Sequence, residues 1–266
     1  MTDKILFERE GHIAILTLNQ PETRNALTDL DLVEAIVESC ATANRDMDIR
    51  ALIVTGAGPV FSSGGNIKHM RDKIGIFKGD AHDVRENYRA GIQNIPLAFH
   101  NLEVPAIAAV NGPAYGAGFD LTLMCDIRIA SSTAIFAENF VKVGIIPGDG
   151  GAWFLPRVVG LPRAMEMTLT GEPIDAVKAA EWGLVSNVVE PDELMNAAKK
   201  LAQRIASNPP QALRWAKRLL REGQQSSLAS LLDMAGEFQG KLHQTEDHME
   251  AVNAILEKRK PEFKGT

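Results

Sequence analysis

One pattern occurs twice in this chain. Residues 52–67 read LIVTGAGPVFSSGGNI and residues 106–121 read AIAAVNGPAYGAGFDL. Each is an apolar run of strand length, a glycine-rich loop, and the start of a helix. An uninterrupted apolar run suits a strand covered on both faces, and glycine lets the loop turn sharply or approach a neighbour closely. The repetition predicts stacked β–β–α turns rather than a single nucleotide-binding unit. Neither loop closes with the Gly-Lys-Ser/Thr of a phosphate loop. Gly56-Ala57-Gly58 is followed by Pro59-Val60-Phe61, so the third glycine of a dinucleotide fingerprint is missing.

The flanking sequence fills in an α/β chain. Ile5 to Phe7 and Ile13 to Leu18 read as strands around a Glu10-Gly11 turn. A helix follows, with Thr28 and Asp31 spaced as a capping box and Leu30, Val33, Val37, Cys40 and Ala41 at helical spacing. Strands are expected at 51–55, 105–110 and 126–130, and helices at 67–71 and from 119 to 124. Residues 72–87 are polar without a period and read as a mobile segment or weak helix. Tyr88 to Leu102 reads as a helix kinked or interrupted by Pro96. From about residue 196 the strand signal stops; 196–207, 210–222 and 226–258 look helical, with a charged tail from Glu257 to Lys264. The expectation is an α/β core over 1–195 followed by a helical region over 196–266.

Composition narrows the classes of function. A 266-residue chain with 45% hydrophobic and 23% charged residues is long enough for one sizeable core. Its net charge of −6 argues against a nucleic-acid partner. No run approaches the roughly 20 apolar residues that span a bilayer, and Met1-Thr2-Asp3-Lys4 does not resemble a secretory leader. The expectation is a cytoplasmic protein without a membrane partner. Cys40 and Cys125 sit in apolar stretches with no ligand pattern around them, as buried thiols of a reducing compartment do. No metal site is expected.

A helix start presents unpaired N–H groups at the positive end of its macrodipole. Two such loops converging on one point form an oxyanion hole, worth about 2.7–4 kcal/mol per donor when a carbonyl oxygen gains charge. Tight turns alone account for the same glycines, and spacing does not choose between the two.

Five stretches carry a resemblance that does choose. NQPETRNAL (19–27), FSSGGNIKHM (61–70), VNGPAYGAGFDLTLMCDIRIA (110–130), AAEWGLVSNVV (179–189) and EKRKPEF (257–263) resemble the enoyl-CoA hydratase/isomerase, or crotonase, family over nearly the whole chain. The resemblance implies a spiral of repeated ββα units and a helical C-terminal region that builds trimers, often paired into hexamers. It implies an acyl-CoA substrate, no metal and no separate cofactor, coenzyme A being part of the substrate. Carried over by position, the oxyanion donors are the N–H groups of Gly65 and Ala117. Arg24 and Ala26 fall in the stretch that helps to hold coenzyme A, and Asn66, Ile67 and Lys68 along its adenine and pantetheine path. Ser63, Tyr115, Gly118, Phe140, Pro147, Gly148 and Trp153 fall on the substrate side, and Lys260 and Phe263 over the adenine of the same or a neighbouring subunit. For Lys68 and Lys260, solvated surface charge is the plainer alternative.

The sequence also departs from the family pattern. Its typical hydratases place a water between two glutamates; the first corresponds to Asp120 and the second to Phe140, which moves no proton. Two nearby carboxylates are candidates to compensate. Asp149 lies in the loop Ile146 to Gly151, where the alternative is a turn residue. A similar combination resembles the ring-opening isomerases of phenylacetate breakdown, whose aspartate stands one position earlier. Glu138 lies two residues before Phe140, on the same side in a strand and diverging in a helix. For Asp120 the alternative is a first-turn carboxylate favoured by the macrodipole. His69, His82 and His100 are weak candidates for a base. Three readings stay open: hydration or double-bond isomerisation by Asp120 and Asp149, a variant acting on a ring-bearing acyl-CoA, or a CoA-binding assembly subunit that has lost catalysis.

Overall fold

The computed structural model describes residues 3–266; Met1 and Thr2, and with them part of the leader expectation, lie outside it. Strands β1 (Ile5–Glu10) and β2 (Ile13–Leu18) form an antiparallel hairpin, and α1 (Leu30–Arg45) leads to β3 (Ala51–Gly56). Then come α2 (Ile67–Asp72), α3 (Ala81–Ala90), α4 (Asn94–His100), β4 (Ala106–Val110), β5 (Ala114–Tyr115) and α5 (Ala117–Met124). Next are β6 (Ile127–Ser131), β7 (Ile135–Ala137), α6 (Gly151–Val159), α7 (Leu161–Thr170), β8 (Ile174–Asp175), α8 (Ala176–Glu181) and β9 (Asn187–Val189). The chain ends in α9 (Leu194–Ala206), α10 (Pro210–Glu222), α11 (Leu228–Leu242) and α12 (Glu246–Glu257).

The main sheet runs β1-β2-β3-β4-β6-β9, parallel from β2 onward. A small second sheet runs β5-β7-β8, and Ser62 bridges Ala114 at its edge. Each turn of chain therefore gives one strand to the large sheet, a short extended piece to the small one, and then a helix. This is the expected ββα spiral.

The apolar runs of β2, β3 and β4 serve two cores at once. Leu52, Val54, Ala106, Ala108 and Val110 face one core with α1, α4 and α5. Ala51, Ile53, Ile107 and Ala109 face a second with Leu194, Ala198 and Ala202 of α9. Side chains alternate across a strand, so a run covered on both faces has no polar position. Alanines at 198 and 202 let α9 lie close to the sheet. The boundary expected at 195 thus falls inside the first turn of a helix whose buried face belongs to the sheet.

Four local expectations change. The N-cap of α1 is Asp29, whose side chain accepts from Asp31 N–H at 3.0 Å, while the hydroxyl of Thr28 accepts from Asn66 N–H at 3.2 Å. A tie to another loop replaced the local capping box. Residues 72–87 are more ordered than their composition suggested: Asp80 and Asp83 form a reciprocal capping box that starts α3. Pro96 does not interrupt a helix, because it sits in the first turn of α4, where its missing N–H is not needed. The break falls instead at residues 91–93. The helical run expected over 226–258 is two helices, with Thr245 capping the second through His248 N–H.

Candidate active site

The two glycine loops leave the C-terminal ends of the neighbouring parallel strands β3 and β4, where open α/β sheets hold their ligands. They touch. Gly64 has φ +76°, and a β-carbon there would collide with the Tyr115 carbonyl and stand 2.9 Å from Ala117 N. Phe61 N–H donates to Pro113 O at 3.0 Å, and Tyr115 N–H to Ser62 O at 3.0 Å. The stretch 19–27 braces the first loop from behind. Buried Asn25, at φ +55°, aims its amide at the carbonyls of Ala57, Val60 and Phe61, and Leu27 N–H donates to Gly64 O at 2.8 Å.

Among the described residues, the N–H groups of Gly65 and Ala117 have no protein acceptor. Gly116, at φ +50°, turns the chain into α5, an eight-residue helix buried on every side, so Ala117 N–H stands at its N-terminal end. Gly65 and Gly116 both line a cavity of about 130 Å³. Its other lining residues are Thr28, Ser63, Ile67, Met70 and Tyr115, then Ile76, Tyr88 and Ile92, and from the later chain Asn139, Phe140, Val143, Ile145 and Asp149. Asp149 is the one carboxylate on that wall. The Phe140 ring packs 3.5 Å from the position a Gly116 β-carbon would take.

Asp120 and Glu138 lie behind this wall, both fully buried. The chain leaves strand geometry after Ala137, and residues 139–143 form a 3₁₀ turn. Glu138 and Phe140 therefore diverge: the ring goes to the cavity and the carboxylate goes inward. A β-carbon on Gly151 would collide with both Glu138 Oε1 and Asp120 Oδ1, so the two carboxylates meet over that glycine. Gly151 N–H donates to Asp120 Oδ2 at 3.0 Å. Asp120 Oδ1, both Glu138 oxygens and Asp149 Oδ1 are buried without partners.

Burial penalises the charged form of each group. It pushes Asp149 up to about 6. It raises Glu138 as well, with the neighbouring Asp120 carboxyl opposing and the Asp149 charge adding. Asp120 is raised well above the usual carboxylate range by burial first and then by Glu138 and Asp149. Tyr88, facing Asp149, is pushed up to about 12 by burial and that charge.

Other expected site residues fall elsewhere. Asn66 caps α2, its side chain accepting from the N–H groups of Lys68 and His69. Gly118 packs against Ser62, with no room for a β-carbon. Arg24, in the left-handed region at φ 57°, and Lys68 are exposed and are not on the cavity wall, while Ala26 is buried. Gly148 lies on an outer face, its carbonyl accepting from Gln93 at 3.0 Å; Pro147 is half-buried beside it and is not on the cavity wall. Trp153 lies edge-on to His100 and beneath the Arg157 guanidinium, in a groove with α10 rather than in this cavity. The Phe263 carbonyl accepts from Arg50, next to the opposite end of β3, and Lys260 lines a recess against α12. Neither reaches the cavity of its own chain. Asn25 and Glu138 are the contributors that role assignment by motif passed over. Asn25 stands inside the quoted stretch 19–27, and Glu138 was visible only as a strand-or-helix alternative. Cys40 and Cys125 are buried free thiols. No group of three or more His, Cys, Asp or Glu is placed to hold a metal ion among the described residues.

The family model described as enoyl-CoA hydratase/isomerase matches residues 8–266. The chain is 37% identical to the short-chain-enoyl-CoA hydratase of Clostridium acetobutylicum, over 98% of this chain and 97% of that one. It is 36% identical to the 1,2-epoxyphenylacetyl-CoA isomerase of Escherichia coli, over 100% of both. The crystal structure of an enoyl-CoA hydratase from Bacillus anthracis superposes with a TM-score of 0.92 at 34% identity, covering 99% of this chain and 100% of that one.

Proposed function

The chain belongs to the enoyl-CoA hydratase/isomerase family of enzymes, and from that premise we propose that it shifts the double bond of a small enoyl-CoA thioester. The observation that carries this reading is the single carboxylate on the cavity wall. Asp149 stands there alone among carboxylates, on a wall shared with Gly65 and Gly116 of the two glycine loops, with Phe140 where a second carboxylate would hold a water.

The thioester oxygen accepts from Gly65 and Ala117 N–H. Asp149, ionised, removes a proton from the α-carbon of a 3-enoyl thioester. The electron pair of that C–H bond forms the C2–C3 double bond as the former C3–C4 bond yields, and negative charge is delocalised onto the thioester oxygen in between. Protonated Asp149 then returns the proton to C4. A base held up to about 6 suits both halves, because it is ionised near neutrality yet holds the transferred proton. A cavity of about 130 Å³ is near the roughly 150 Å³ that accommodates a benzene-sized guest, which supports a short acyl chain or a single ring. Coenzyme A enters as part of the substrate, and no separate cofactor takes part.

Hydration is the second reading, favoured by the 37% identity to a short-chain-enoyl-CoA hydratase over nearly the full length of both chains. Following the conjugated thioester's absorbance separates the two: isomerisation makes it appear from a 3-enoyl-CoA, and hydration removes it from crotonyl-CoA. Asp149→Asn is expected to lower turnover at least a hundredfold while CoA binding persists. Full activity in that variant would sink the assignment. A protein inert on both substrates yet binding CoA would instead be an assembly subunit.

We further infer a trimer, or a hexamer of two trimers, in the cytoplasm. In support, α11 and α12 expose Leu228, Leu232, Ile255 and Leu256, an apolar surface that a monomer rarely leaves open. No helix among the described residues is long and apolar enough to cross a membrane.

A further inference from the structure

Three carboxyls crowd the first turn of α6, and among the described residues one N–H group serves them. Gly151 N–H serves Asp120 Oδ2; Asp120 Oδ1, Glu138 Oε1 and Oε2 and Asp149 Oδ1 receive nothing. Two ionised carboxylates in contact, away from water and without a counter-charge, are strongly disfavoured. A proton between Asp120 Oδ1 and Glu138 removes both the repulsion and two of the missing hydrogen bonds. Both carboxyls press on the space above the Gly151 α-carbon, and Asp120 and Glu138 act on each other at side-chain hydrogen-bond range. The titratable groups acting on the pair from the surrounding elements are carboxyls: Asp120 from α5, Glu138 from the end of β7, and Asp149 from the loop before α6. Among the described residues, no Lys, Arg or His acts on it.

We propose that Glu138 is a positioning residue that shares one proton with Asp120, and that this pair holds a single negative charge behind Asp149 without touching the acyl group. The inference rests on Asp149 as the acid–base group. It also changes what the position of the family's first glutamate does in this chain: Asp120 lies off the cavity wall and acts through its neighbour. The pair contains one carboxylate and one O–H donor, so an amide can replace either member. With Asp120→Asn, the amide donates to ionised Glu138; with Glu138→Gln, it donates to ionised Asp120. Charge and hydrogen bond survive in each. The double variant keeps the amides and loses the charge.

The test combines two readouts on the full-length protein. The first is the pH profile of kcat on a 3-enoyl-CoA. Each single variant is expected to keep kcat within about threefold and to keep the acidic limb in place. The double variant is expected to move that limb down by about one pH unit or more, as loss of one nearby charge in a poorly solvated site requires. A tenfold loss in either single variant, or an unmoved limb in the double variant that still folds, overturns the proposal. The second readout is independent of turnover. Infrared spectra at mildly alkaline pH should show one protonated-carboxyl band in the wild type that disappears in each single variant. A band that persists in Glu138→Gln, or is absent from the wild type, contradicts proton sharing even if the enoyl-CoA assignment to Asp149 holds. Its presence and loss would support sharing even if that assignment fails.

Discussion

At the scale of single residues, the site is defined by what glycines and one phenylalanine leave room for. Ala117 is useful because only its N–H is at issue. Ala117→Pro removes that donor, yet proline is tolerated at the first position of a helix, and the preceding Gly116 accepts the restriction a proline imposes. Turnover should fall by a factor of about 10²–10³ with little change in unfolding midpoint; an unchanged kcat would remove Ala117 from the oxyanion site. The sequence made much of this legible. Glycine loops after apolar runs left backbone donors as one of two readings, the family resemblance put them at Gly65 and Ala117, and Asp149 was a candidate from its loop. Glu138 was not legible as an inward-facing acid, because its direction depends on the chain changing from strand to 3₁₀ turn between Ala137 and Asn139. No residue type in that stretch marks the change. The capping role of Asn66 was hidden for a similar reason: a residue beside a loop motif was assigned to the ligand when its side chain serves the helix.

At the scale of elements, α3 shows how a segment of unpromising composition becomes a wall of the cavity. Its sequence lacks an apolar period, so periodicity underrated it. Its order comes from the Asp80–Asp83 capping box and from Ile76 and Tyr88 packing inward beside the cavity. Asp80→Ala removes an acceptor for the His82 and Asp83 N–H groups, which costs about 1 kcal/mol. Denaturant unfolding should register that loss. KM should rise more than kcat falls, since α3 shapes the acyl wall and carries no donor or acid; a fall in kcat alone would put α3 closer to the chemistry than described. The strands were easier to read, because a run buried on both faces is apolar without interruption. That α9 provides the second cover could not be read from the strands themselves: Leu194, Ala198 and Ala202 announce a helix face but not its partner.

At the scale of the whole molecule, the carboxyl cluster sets a pH signature. Asp149 goes from the usual 3.8 to about 6 and Glu138 is raised with it, so the folded protein binds more protons than the unfolded chain above about pH 4. Folding stability is therefore full below about pH 4 as far as these groups are concerned, and the share that belongs to Asp149 is lost as pH rises through about 6. At 1.36 kcal/mol per unit the Asp149 shift withdraws on the order of 3 kcal/mol. Thermal unfolding midpoints should fall from mildly acidic to mildly alkaline pH, and Asp149→Asn should flatten that slope and stabilise the protein on the alkaline side. A midpoint that rises steadily with pH in the wild type, unaltered in the variant, would mean that these carboxyls are not held protonated by the fold.

The central claim is that one buried carboxyl, Asp149, carries a proton from one carbon of the acyl group to another. The most direct measurement converts a short 3-enoyl-CoA in deuterium oxide and weighs the product. A conjugated isomer with no added water and less than one deuteron taken up per turnover is expected, because one buried carboxyl carries the same proton from carbon to carbon. Loss of conversion in Asp149→Asn is expected as well. A product heavier by one water as the main outcome, or undiminished conversion in the variant, would contradict that claim.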